Sequence, residues 1–135
     1  MRHILIVDDD EDDRDIFCEA VHEVEPSIKC ILARNGQEAL NGLRFHYPRP
    51  DMMVIDLNMP RIDGWQCLRE IKNDRSLQNI PVVIYTTSKQ EEYIAEANAL
   101  GADHYLVKPY GFRELCESVR QILHANDIAK INLMI

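Results

Sequence analysis

The feature that most constrains this chain is an alternation. Five short runs rich in Val, Ile and Leu, at 3–7, 28–33, 52–55, 82–85 and 104–107, are separated by longer segments whose apolar residues recur at helical spacing. Continuous apolarity, rather than strict alternation, describes strands buried on both faces. Strands alternating with helices give βαβ units and a parallel sheet. An open α/β sandwich follows, and 135 residues suffice for one compact domain with a real core.

The intervening segments carry helix punctuation. Ile16, Phe17, Ala20, Val21 and Val24 form one apolar stripe, and Pro26 marks its exit. A second helix starts near Gly36 and carries Ala39, Leu40 and Leu43. Asp63 is the expected N-cap of a third, lined by Trp65, Leu68 and Ile71. The connection 73–81 is long and polar for this architecture. A fourth helix over 90–100 ends at Gly101, a suitable C′ residue, and a fifth runs from Phe112 through Leu115, Val119, Ile122 and Leu123.

Right-handed crossovers place the C-terminal ends of all parallel strands on one edge, where ligand sites form at the switch point of strand order. The residues following the runs are Asp8 and Asp9, Asp56, Thr86 and Lys108. Three acids, a hydroxyl and an ammonium should converge there. Clustered carboxylates raise one another's pKa unless a cation offsets them, and magnesium, with manganese as a substitute, is the natural partner. Asp9 and Asp56 are expected to bind it directly and Asp8 through water, with the backbone carbonyl of Asn58 as a further ligand. The acids Asp10, Glu11, Asp12 and Asp13 are accounted for by the dipole of a helix start.

In this setting Asp56 reads as a nucleophile: a carboxylate can attack phosphorus to give an acyl phosphate. Lys108 would supply positive charge and Thr86 a hydroxyl donor to the phosphoryl oxygens. Other classes fare worse. A net charge of −8 gives no footprint for nucleic acid or an anionic membrane. The four cysteines (Cys18, Cys30, Cys67, Cys116) show no CxxC pair and no His at ligand spacing, which suggests neither a zinc site nor a redox motif and fits a reducing compartment. With no apolar segment near 20 residues, a cytoplasmic protein is expected. No phosphate-binding loop follows the first run, which disfavours flavin-type cofactors.

The segments IVDD (Ile6 to Asp9), DLNMPRIDG (Asp56 to Gly64), PVVIYTT (Pro81 to Thr87) and GADHYLVKP (Gly101 to Pro109) resemble the signature segments of receiver domains, the phosphoacceptor modules of two-component response regulators. The likeness covers about residues 2–124. It implies a five-stranded parallel sheet flanked by five helices in a flavodoxin-like three-layer sandwich. By the same resemblance Asp56 is the phosphoacceptor, Asp8 and Asp9 the acidic pair, Thr86 the switch hydroxyl, Tyr105 the switch aromatic, and the Lys108–Pro109 bond is cis. A sensor histidine kinase or phosphotransfer protein is the implied partner. The loop NDRSLQNIP, the TTSKQEE sequence and the missing output domain are similar to single-domain regulators that accompany phytochrome kinases. Residues 1–125 would form the receiver. Residues 126–135, with the apolar cluster INLMI, would either fold back or dimerise the chain through the fifth helix and tail. Asn58 and Ser88 would flank the phosphoryl group and set its lifetime. Two alternatives stand beside this: a magnesium-dependent phosphohydrolase, which usually has an acid where Asn58 lies, and a degenerate receiver, which would lack one of the five strand-end groups.

Overall fold

A computed structural model of the chain describes residues 1–57, 59 and 63–124. Asn58 and the tail at 126–135, where a dimerisation element is one of the two expectations, lie outside the described residues. Ten elements alternate in order: β1 (His3–Val7), α1 (Glu11–Val24), β2 (Lys29–Ala33), α2 (Gly36–Phe45), β3 (Met52–Asp56), α3 (Gly64–Asn73), β4 (Val82–Thr86), α4 (Glu91–Ala99), β5 (His104–Val107) and α5 (Phe112–Leu123). The sheet is parallel throughout, in the order β2-β1-β3-β4-β5. The strand order reverses beside β1, between β1 and β3. Ligand crevices form there in open α/β sheets.

Side-chain alternation along each strand divides the core into two layers. Leu5, Val7, Met53, Ile55 and Ile84 face α2, α3 and α4, packing on Leu40, Leu68, Ile71 and Ala97. Ile4, Ile6, Val54, Val83 and Leu106 face α1 and α5, packing on Phe17, Val21, Leu115 and Val119. Each such aliphatic side chain, fully buried, contributes about 1.5–3 kcal/mol relative to exposure. The expected three-layer α/β sandwich is the observed one.

β3 and β4, at the centre, are buried along their full length. β2 departs from the expectation of strands covered on both faces. It has one neighbour, and Leu32 remains 39% exposed. Ile16 likewise leaves the expected stripe of α1: it is 43% exposed, because the helix turns Phe17, Ala20 and Val21 inward instead.

Local chemistry accounts for the helix ends. Asp10, Asn35 and Asp63 are N-caps whose side chains accept from the backbone N–H groups of Asp13, Glu38 and Gln66. Gly101, at φ 101°, supplies the left-handed residue after α4. The polar connection before β4 is a folded strut. Leu77 and Ile80 are buried, and the Lys72 ammonium donates to the carbonyls of Gln78 and Ile80 at 3.0 Å each.

Candidate functional site

The carboxyl ends of β1, β3, β4 and β5 bring Asp8, Asp56, Thr86 and Lys108 together as expected. Asp8 and Asp56 are buried, Asp9 is exposed, and one carboxylate oxygen from each of the three lies within 4.8 Å of the others. The Lys108 ammonium stands 3.6 Å from Asp8, 3.8 Å from Asp56 and 2.9 Å from Asp13. Its shortest partner is thus a half-buried acid on α1. Asp13 therefore does more than complement a helix dipole.

Burial alone would lower the Lys108 pKa, but the hydrogen bond it donates to Asp13 and the charges of Asp8 and Asp56 outweigh it and push the ammonium up, so it stays protonated. Asp8 is pushed up to about 7, chiefly by burial; the backbone N–H of Asp10 and the Lys108 charge oppose the rise, and Asp56 and Asp13 reinforce it. Among the described residues the Lys108 ammonium is shared by Asp8, Asp13 and Asp56, so these pairs carry fewer positive charges than acids. A divalent ion bound by oxygen ligands would offset that deficit, and three convergent carboxylates, two of them buried, are a donor set that fits it.

The cationic arm is positioned from below. Lys108 lies 5.1 Å over the ring of Tyr85, which packs edge-on against Phe17 at 5.1 Å. The backbone N–H of Lys108 donates to the Thr86 carbonyl at 2.7 Å, locking the end of β5 to the end of β4. No cis peptide bond occurs among the described residues, so the expected cis Lys108–Pro109 bond is not found. The ammonium reaches all three acids with the ordinary trans bond, which X–Pro sequences favour by about 0.5–1 kcal/mol.

Gly64 sits against the back of the pocket. A Cβ there would run into the Asp56 carbonyl oxygen and lie 2.6 Å from the Leu57 Cα, so only glycine lets α3 begin this close to the end of β3.

Thr86 and Tyr105 are connected through a single residue. The Thr86 hydroxyl oxygen accepts from the Ser88 N–H at 3.2 Å, and the Tyr105 hydroxyl donates to the Ser88 carbonyl at 2.9 Å. Tyr105 is fully buried, its ring turned inward, and burial raises its pKa. Asp13, Tyr85 and Gly64 escaped the sequence reading as parts of the site. The spacing of Asp13, on the α1 face that also carries Phe17, was the signal available for the first.

The profile of the response regulator receiver domain matches residues 4–120. The chain belongs to that family. This receiver is 37% identical over 123 residues to the response regulator SaeR of Staphylococcus aureus, an alignment covering 91% of this chain and 51% of SaeR. It spans about half the length of the curated relatives it matches. Among solved structures it resembles the phosphorylated cyanobacterial phytochrome response regulator RcpA at 32% identity and TM-score 0.82, covering 90% of each chain. It also resembles the Mn2+-bound form of response regulator Rcp1 at 31% identity and TM-score 0.80, covering 90% of this chain and 91% of that one. Receivers of this family bind divalent metal and engage histidine kinases or phosphotransfer proteins in two-component signalling. Among the described residues no helix is long and apolar enough to cross a membrane.

Proposed function

We propose that this receiver accepts a phosphoryl group on Asp56 from a phosphohistidine of a cytoplasmic kinase or phosphotransfer protein and relays the event as a change of shape. The observation that carries the reading is the convergence of Asp8, Asp9 and Asp56 oxygens beneath an ammonium that lies within 4 Å of both buried acids. A carboxylate oxygen of Asp56 attacks phosphorus; the O–P bond forms as the N–P bond breaks, and the imidazole nitrogen keeps the bonding pair. Mg2+, held by Asp8, Asp9 and Asp56, would neutralise charge on the incoming phosphoryl oxygens. Lys108 turns from Asp13 toward the new dianion, and the Thr86 hydroxyl donates to one of its oxygens. Because Ser88 joins Thr86 to Tyr105, movement of Thr86 pulls on the contact that holds the Tyr105 ring, and the α4–β5–α5 surface responds.

The test is direct. The full chain is incubated with Mg2+ and acetyl phosphate and weighed intact by mass spectrometry. One phosphoryl unit on the wild type, absent from Asp56→Asn and from samples without Mg2+, supports the reading. Equal modification of Asp56→Asn would refute it.

A further inference from the structure

Away from the acidic pocket, a second group of ligating side chains converges on the α1–β2 side of the sheet. Cys18 and His22, four residues apart on α1, face the same way, with Cys18 Sγ 3.9 Å from His22 Nδ1. Cys30 reaches them from β2, and one ligand atom from each of the three lies within 4.8 Å of the others. The expectation of no histidine at ligand spacing from a cysteine fails here. The fold closes the gap between α1 and β2, and the i, i+4 relation of Cys18 and His22 was present in the sequence.

The chemistry of the histidine settles its orientation. His22 Nε2 is 2.9 Å from the Ile28 carbonyl oxygen, which can only accept. The ring proton therefore sits on Nε2, and Nδ1 turns its lone pair toward the two sulfurs. A backbone carbonyl holding the distal N–H is the usual outer support of a metal-ligating imidazole. The spacing also fits. Tetrahedral zinc, with Zn–S near 2.3 Å and Zn–N near 2.0–2.1 Å, sets sulfur and nitrogen about 3.6 Å apart, so the 3.9 Å observed needs only a small contraction.

We propose that Cys18, His22 and Cys30 form a site for a thiophilic divalent ion of the Zn2+ class, with His22's exposed edge leaving a fourth position to solvent. Two sulfurs and an imidazole select a softer ion than the all-oxygen set of Asp8, Asp9 and Asp56. The two sites lie at different heights in the sheet. Cys30 is in register with Ile4, four residues before Asp8, roughly 13 Å along the strand at 3.3 Å per residue. Bound there, the ion would cross-link α1 to β2, the strand with the least cover.

The experiment uses the full chain, reduced with a phosphine and held in saturating Mg2+ to occupy the acidic pocket, titrated with Co2+ and then Zn2+. One Co2+ per chain, with thiolate-to-cobalt charge-transfer absorption in the near ultraviolet that Zn2+ abolishes, supports the site. Cys30→Ser should reduce that absorption and weaken Zn2+ by more than the ten- to hundredfold typical of losing an outer-shell partner. His22→Gln, an exposed change that leaves the core intact, should keep sulfur-to-cobalt absorption but bind less tightly, and it serves if Cys30→Ser does not fold. Asp56→Asn should leave the absorption unchanged. Uptake without charge transfer, or uptake that survives Cys18→Ser/Cys30→Ser, would place the ion elsewhere and overturn the proposal. So would a reduced protein that takes up no metal and, on air exposure, loses two hydrogens to a Cys18–Cys30 disulfide.

Discussion

Replacing Asp13 with Asn should make Asp56 easier to modify, although Asp13 is not one of the converging acids. At rest the Lys108 ammonium is 2.9 Å from Asp13 and 3.8 Å from Asp56. With an effective dielectric near 20, those separations correspond to about 5.7 and about 4.4 kcal/mol of attraction, a preference of about 1.3 kcal/mol for the wrong partner. The Asp13 side chain is 40% exposed, and water screens its share, so about 0.7–1.3 kcal/mol is the realistic bias. Removing it should tighten beryllofluoride binding by about three- to tenfold, since 1.4 kcal/mol is a factor of ten. Trp65, the single tryptophan, follows Gly64 at the back of the pocket and stacks edge-on with Tyr93 at 5.8 Å, so its fluorescence is a convenient reporter. The titration is run in saturating Mg2+ and repeated in a Lys108→Met background, where the gain should vanish. Unchanged or weaker binding in Asp13→Asn, or a gain that survives Lys108→Met, would show that Asp13 does not restrain the ammonium.

Other expectations follow from contacts already described. Tyr105→Phe removes the donor to the Ser88 carbonyl and should cost about 1 kcal/mol, lowering Tm by about 3–5 °C, with faster amide exchange at 88–90 by hydrogen-exchange mass spectrometry. Gly64→Ala pushes a methyl against the Asp56 carbonyl and should destabilise by about 1–3 kcal/mol in urea titration while slowing phosphorylation by acetyl phosphate; a neutral result would mean the α3 start can back away freely. His104, buried with Nδ1 lacking a partner among the described residues, has its pKa lowered by burial, with Asp103 acting against the shift. The unfolded chain takes up that proton below about pH 6.5 while the folded one resists. Stability contributed by His104 is therefore present above that pH and lost as pH falls, and His104→Gln should show a smaller drop in Tm between about pH 7 and 5.5.

Much of this could be read from residue order. The central strands announce themselves because both of their faces must be apolar. A carboxylate straight after such a run, as at Asp8 or Asp56, has nowhere to sit but the sheet edge. Punctuation was equally legible at Asp63 and Gly101, where cap chemistry is local. What escaped the reading depends on which neighbour an element finds. Leu32 stays exposed because β2 has no outer partner, which no pattern within β2 reveals. Asp13 looked like one more acid at a helix start until β5 brought Lys108 beside it, 95 residues away. Cys30 meets Cys18 and His22 through the register of α1 on the sheet, and twelve residues of sequence separate the two thiols.

That distance between Asp13 and Lys108 has a consequence for how the protein is made. During synthesis from the N-terminus, Asp8, Asp13 and Asp56 all emerge before the lysine that tempers them. A partly made chain carries the acids without their cation, and their mutual repulsion works against closing the β1–β3 edge early. Lys108, directly after β5, supplies the balancing charge last. A chain ending before residue 108 would hold these acids without the ammonium that offsets them in the folded protein.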